Sequence, residues 1–170
     1  MKMKIIIGFF VSFLALYANA ISKSNMISGD GFVYRVVDGD TYIVNVNSQK
    51  VYNALKSQAK TSNEKQHFKD KYKAFKIRLG NIDTAESKHF DKSRNTQIGV
   101  TTSSYVKKKL SKQKISFTCW DFGKYGRAIC SVRLGGKDLG LHLLKQGFST
   151  YYTVFGAHPY LDDEYSRASR

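Results

Sequence analysis

The 170-residue sequence predicts an α+β domain that is mainly β, a barrel of five short strands carrying two to three helices. Three observations point there. Runs rich in β-branched and aromatic residues recur at 31–37, 41–46, 75–79, 115–120 and 128–134, the composition of half-buried strands. Helical spacing of apolar residues enters between the third and fourth runs and again after the fifth. Turn residues punctuate the runs, and neither an internal repeat nor a second domain is visible.

Taken in order, residues 21–30 are polar and read as a loose start. Gly31–Val37 is the first strand, and Asp38-Gly39-Asp40 turns it back into Thr41–Val46, since an Asp-Gly step between such runs signals a hairpin. Residues 47–74 are rich in Ser, Asn, Gln and Lys and read as a surface insertion. Part of it fits a helix, with Val51, Leu55 and Ala59 at intervals of four and a capping box over Thr61–Glu64. Phe68, Tyr72 and Phe75 extend a helical stripe, although Phe75 fits the next strand better. Phe75, Ile77 and Leu79 then alternate with Lys76 and Arg78, a strand with one buried face. A helix follows from about Thr96 to Lys112, with Ile98, Tyr105, Val106 and Leu110 as apolar positions. Its Lys107-Lys108-Lys109 run suits the negative end of the helix dipole. A second hairpin pairs 115–120 with 128–134. Setting Cys119 opposite Cys130 also sets Phe117 opposite Val132, so one register aligns the apolar face and the sulfurs. Asp138 caps a helix over 139–146, Gly147 stops it, and a third helix starts near the C-terminus. Strand, strand, strand, helix, strand, strand, helix is the order of a five-stranded Greek-key barrel of the oligonucleotide/oligosaccharide-binding type, the OB-fold.

The chain opens with Met-Lys-Met-Lys, an apolar run over Ile5–Tyr17 and Ala18-Asn19-Ala20, which is expected to be a secretory signal peptide cut after Ala20. Domains are therefore expected at 1–20 (signal), 21–30 (loose segment) and 31–170 (barrel). The apolar run is short for a bilayer span, so no stable membrane anchor is expected and the product is placed outside the cell or in the periplasm. Without Lys2 and Lys4, 26 basic residues stand against 13 acidic, a formal +13. Such a charge attracts polyanions: nucleic acid, acidic polysaccharide or an anionic membrane face. No long amphipathic helix argues for the membrane, so nucleic acid leads. The alternative is a basic surface with no specific partner. Cys119 and Cys130 fit one disulfide in an oxidising compartment, against the alternative of two buried thiols. His67, His89, His142 and His158 are scattered and form no metal motif.

Chemistry-bearing residues gather at three places. Arg78 lies on the polar face of the third strand, with Asp83 and Glu86 in the turn beyond Gly80-Asn81. A guanidinium forks onto phosphate oxygens, while carboxylates hold a hard cation or accept a proton from water. Asp38 and Asp40 set two carboxylates beside a glycine, and Lys124-Tyr125-Gly126-Arg127 forms a basic turn. Each alone also reads as an ordinary solvated turn.

Together, Val37-Asp38-Gly39-Asp40-Thr41, Arg78-x4-Asp83-Thr84-Ala85-Glu86 and Tyr125-Gly126-Arg127 resemble the staphylococcal nuclease (thermonuclease) family. The resemblance spans most of residues 31–158. It implies a calcium-dependent hydrolase of DNA and RNA giving 3′-phosphate products. By position it implies Asp40 and Asp83 as direct Ca²⁺ ligands, the Thr84 carbonyl beside them, and Asp38 close by through water. It implies Glu86 as the general base or water-orienting carboxylate, Arg78 and Arg127 as the phosphate-gripping pair, and Tyr125 near the nucleotide. The sequence departs from the family at Ala85, where proline is usual, and at Thr153 and Phe155, where two tyrosines are usual. Tyr151 and Tyr152 are the substitutes for substrate binding. The 47–74 insertion is longer than the family's usual connection.

The leading expectation is a monomeric, secreted nuclease acting on DNA and RNA. The alternatives are a non-catalytic OB-fold nucleic-acid-binding protein and a binder of acidic polysaccharide. Arg78, Asp40, Asp83, Glu86 and Arg127 favour the enzyme, because a mere binder gains nothing from acids that repel phosphate.

Overall fold

A computed structural model describes residues 26–85, 87, 93 and 96–170. The 1–20 signal segment and Glu86 therefore lie outside the described residues. The long first strand, β1 (Ile27–Asp38), serves two neighbours. Its first half pairs antiparallel with β6 (Lys114–Phe122) and its second half with β2 (Thr41–Val46). A register shift between Val33 and Arg35 bends it from one partner toward the other. The loose start expected over 21–30 is corrected accordingly: 27–30 is already strand, with Ile27 opposite Cys119.

β2 pairs with β4 (Ala74–Leu79), and β6 with β7 (Ala128–Leu134). A parallel pairing of β4 with β7, Ile77 opposite Ala128 and Leu79 opposite Cys130, closes five strands into a mixed barrel in the order β4-β2-β1-β6-β7. That is the OB-type architecture expected. Cys119 and Cys130 face one another across β6 and β7, disulfide-bonded at a Cα separation of 4.0 Å. Alternation sends Val33, Tyr42, Val44, Phe75, Ile77, Leu79, Cys130 and Val132 inside, where each is fully or almost fully buried.

The 47–74 segment is not a surface decoration. It forms α1 (Gln49–Gln58), α2 (Ser62–Lys65), the two-residue strand β3 (Phe68–Lys69) and a 3₁₀ turn over Asp70–Tyr72. The Thr61–Glu64 capping box forms. Tyr52, Leu55 and Ala59 are buried, and Phe68 stacks on Phe75 with ring centroids 5.8 Å apart. Phe68 and Phe75 thus meet through strand pairing rather than along a helix. The residues after Gly80 also differ from a simple turn: β5 (Ile82–Thr84) pairs with β9 (Ser149–Tyr151) in a small second sheet.

Helix α3 (Gln97–Leu110) buries Gly99, Thr102, Val106 and Leu110, while Ile98 points to solvent. The short strand β8 (Lys137–Asp138) leads into α4 (Leu139–Lys145), which is capped by Asp138 and followed by Gly147 at φ 69°. Helix α5 (Asp162–Ala168) docks through Tyr165, whose hydroxyl donates to Asp138 at 2.6 Å.

His158 locks that C-terminal segment down. It is buried among Trp120, Tyr160 and Tyr165, with ring centroids 4.6–5.1 Å away. Its Nδ1 accepts from the backbone N–H of Leu161 at 3.2 Å. Burial pushes its pKa down to about 4, although Asp138, Asp162 and Glu164 pull the other way. The neutral ring therefore stabilises the fold fully above the unfolded value near 6.5. That contribution is lost as the pH falls toward 4, because the unfolded chain takes up the proton first. The expected loss is on the order of 3 kcal/mol. Urea midpoints at pH 7 and pH 4.5 check it: the drop should be clearly smaller in His158→Phe, and an equal drop in both proteins would refute the assignment.

Candidate active site

The site is built where the barrel closes. Arg78 lies on the outward face of β4 opposite Thr41 of β2, and the parallel β4–β7 pairing brings in Arg127, the residue before β7. The guanidinium of Arg78 contacts the Asp40 carboxylate through Nη1, and its Nη2 donates to Asp83 Oδ1 at 3.0 Å and to the Ile82 carbonyl at 3.2 Å. Arg127 Nη1 donates to Thr41 Oγ1 at 2.8 Å, and Thr41 in turn donates to Asp40 Oδ1 at 2.9 Å. Arg127, Thr41, Asp40, Arg78 and Asp83 thus form one continuous polar network. Burial opposes the Arg78 charge, but Asp40 and Asp83 outweigh it and hold its pKa above the ordinary value.

The Asp38-Gly39-Asp40 turn sends its two acids to different partners. Asp40 is buried against Arg78, whereas Asp38 Oδ1 accepts from the Gly39 N–H at 2.8 Å and the Ser87 hydroxyl at 2.6 Å. Gly39 is needed for space: a Cβ there would lie 2.8 Å from Thr84 Oγ1 and 3.0 Å from Thr102 Cγ2. That close approach seats the turn on β5 and α3, with Thr84 buried beneath it. From below, the buried Tyr42 hydroxyl donates to the Gly39 carbonyl at 2.5 Å. Burial, reinforced by Asp40 and Asp38, raises the Tyr42 pKa well above the phenol range, so it remains a donor.

The Tyr125–Arg127 turn is held by the 47–74 segment. His67 Nε2 donates to the Tyr125 carbonyl at 2.8 Å, a carbonyl being able only to accept, and Asn63 Nδ2 donates to the Lys124 carbonyl at 3.3 Å. Gly126 has φ 73°, and a Cβ there would stand 2.3 Å from the Asn63 carbonyl oxygen. Tyr125 is exposed, and the Arg127 guanidinium lies 5.7 Å from its ring centroid.

The two remaining tyrosines separate. Tyr152 is tied to the turn between β4 and β5: its N–H donates to the Asn81 carbonyl at 2.9 Å, and its ring lies 6.0 Å from the exposed Phe155. The Tyr151 hydroxyl is engaged within the chain. That group donates to Asp162 at 2.6 Å and accepts from the His158 N–H at 2.9 Å, while the ring packs on Tyr165. Tyr151 thereby also brackets α5.

Among the described residues, no group of three or more His, Cys, Asp or Glu is arranged to hold a metal ion. The residues present nevertheless suit a weakly held hard cation. Asp40 and Asp83 converge on one guanidinium, all the donors are oxygens, and Asp38 adds further negative charge beside them. A Ca²⁺ shell of six to eight oxygens can be completed by water and substrate.

The model of the family described as staphylococcal nuclease homologue matches residues 76–170, more than half of the chain. The chain belongs to the staphylococcal nuclease family. The matched region contains Arg78, Asp83, Thr84, Tyr125 and Arg127. Asp38 and Asp40 lie upstream of it and join the site through the β2–β4 pairing. No curated protein matches the chain. No described helix is long and apolar enough to cross a membrane.

Sequence reasoning missed Thr41, Tyr42, His67 and Asn63. Thr41 was the most accessible of these: if Tyr42, Val44 and Val46 face the core, Thr41 must face outward beside Asp40.

Proposed function

We propose that this staphylococcal nuclease family member is a calcium-dependent, sugar-nonspecific nuclease. In this reading it hydrolyses phosphodiester bonds of DNA and RNA to 3′-phosphate products outside the cell or in the periplasm. The observation that carries the proposal is the Arg78–Asp40–Thr41–Arg127 network, which sets two guanidinium groups around one acidic centre. Asp40, Asp83 and the Thr84 carbonyl would hold Ca²⁺, with Asp38 supporting them. The ion supplies Lewis-acid stabilisation of charge on the phosphoryl oxygens.

The chain's own groups do the rest. Arg78, held by Asp40 and Asp83, grips a phosphate already in the ground state. Arg127 is oriented by Thr41 and Tyr125 toward the charge that grows as phosphorus becomes pentacoordinate. Glu86 accepts a proton from the attacking water. Attack on phosphorus breaks the P–O5′ bond, the 5′-oxygen leaves with the bonding pair and takes a proton from solvent, and the phosphate stays on the 3′ side. Tyr125 and Tyr152 flank the nucleotide.

The test is digestion of plasmid DNA and RNA with calcium and with excess chelator, by wild type and Glu86→Gln. Calcium should be required at roughly 10⁻⁴–10⁻³ M, the range of weak extracellular sites. Glu86→Gln should lose at least ~10²-fold in rate while keeping its affinity for nucleic acid. Binding without cleavage by the wild type would replace this reading with a non-catalytic nucleic-acid-binding barrel.

A further inference from the structure

The outward face of β1, β2 and β4 continues away from the two arginines, and strand pairing arranges it in rows. Thr41 lies opposite Arg78 in the first row. Two residues along β2, Ile43 lies between Arg35 and Lys76, and two further on Asn45 lies between Phe32 and Ala74, with Lys69 beyond. At 3.3–3.4 Å per strand residue, these rows stand roughly 7 and 14 Å from the first.

The face is basic and aromatic at once. Arg35, Lys69 and Lys76 project from it, and the outward residues of the second and third rows include no acid, Asp38 opposite Thr41 in the first row belonging to the site itself. Neighbouring Asp70 is already paired with Lys56 at 2.7 Å. Besides burial, the charges of Arg127, Arg35 and Lys69 lower the Lys76 pKa, so the cations of the face and the site act on one another. Tyr34 is the extra residue at the β1 register shift and has no partner across the β1–β2 ladder. It is 66% exposed, Phe32 is 39% exposed, and at the other edge Tyr72 is 58% exposed. Asn45 Nδ2 donates to the Tyr72 carbonyl at 3.1 Å, tying that edge to the third row.

We propose that this face is an extended track for single-stranded nucleic acid, on which a strand seated at Arg78 and Arg127 runs past Lys76 and Arg35 to stack unpaired bases on Phe32 and Tyr34. It rests on the nuclease reading for its starting point. Exposed rings favour a single strand because a duplex hides the faces of its bases, whereas stacking on an aromatic side chain accepts any base. Cations spaced between the rings follow the phosphates.

The test uses Phe32→Ser/Tyr34→Ser and, separately, Arg35→Gln, each checked for an unchanged melting curve. Kinetics are measured on a 20-nucleotide single strand and on a dinucleotide. Affinity for the 20-mer, a 20-base-pair duplex and heparin is measured in excess chelator, with the oligonucleotides checked for integrity. The double variant should raise KM for the 20-mer about ten-fold or more with kcat unchanged, and leave the dinucleotide reaction within two-fold. Arg35→Gln should reduce the slope of log affinity against log salt by about 0.7 for the single strand. An unchanged KM and affinity for the 20-mer would overturn the track while leaving the nuclease reading intact. Weakened 20-mer binding by a protein that never cleaves would do the reverse. Equal weakening on heparin or on duplex would overturn the assignment to unpaired bases.

Discussion

Arg127→Ala should slow cleavage of DNA by about 10²–10³-fold, the range seen when a donor aimed at developing charge is removed. Affinity should fall far less, because the phosphate in the ground state carries less charge than the pentacoordinate species. The described contacts of Arg127 lie within the site. Arg127 touches Thr41 and the exposed Tyr125 ring, and Thr41 keeps its bond to Asp40 without it. Melting temperature should therefore change little. Arg127→Lys should recover only part of the rate, since an ammonium cannot fork across two phosphate oxygens. Initial rates and dissociation constants for the purified variants at fixed calcium and salt decide the matter. Cleavage by Arg127→Ala at the wild-type rate would remove it from the catalytic assignment.

The position of Arg127 also marks where sequence reading stops. The strands were legible because alternation is strict: Phe75, Ile77 and Leu79 go in, and Lys76 and Arg78 go out. The β6–β7 register was legible because one alignment satisfies the apolar face and both cysteines. The parallel β4–β7 contact that brings Arg127 to Arg78 joins strands about fifty residues apart, and no local pattern encodes it. The same holds for β5 and β9, each three residues long, too short for alternation to register. The 47–74 segment misled through composition. Its many polar residues coat the outside of α1, while Tyr52 and Leu55 suffice to make it core. His67 is a lone histidine in a basic stretch, and its bond to the Tyr125 carbonyl appears only once β3 is placed on β4. Ile98 failed in the opposite sense: at the start of α3 the buried face passes through Gly99 and Thr102, and Thr102 packs against the Gly39 turn.

Arg78→Ala should injure stability, affinity and rate together, and calcium should repair part of the first. Arg78 is the shared counterion of Asp40, which is only 7% exposed, and of the more exposed Asp83. Removing it leaves a buried carboxylate without its cation beside a second negative charge. Truncating one partner of a buried pair costs on the order of 3 kcal/mol. In the chelated protein that loss should show as a lower unfolding midpoint. A bound cation would then take over the missing positive charge. At 100 times its dissociation constant, a ligand specific for the folded state contributes about 2.7 kcal/mol. Saturating calcium should therefore raise the melting temperature of Arg78→Ala by more than it raises that of the wild type, whose acids already share a guanidinium. Substrate affinity should remain low even with calcium, because the ground-state grip on the phosphate is gone, and cleavage should stay at least ~10²-fold down. Thermal melts with calcium and with chelator separate the two roles. A variant that melts like the wild type in chelator would show that Asp40 does not depend on Arg78. A variant that calcium fails to stabilise would count against Asp40 and Asp83 as the metal ligands.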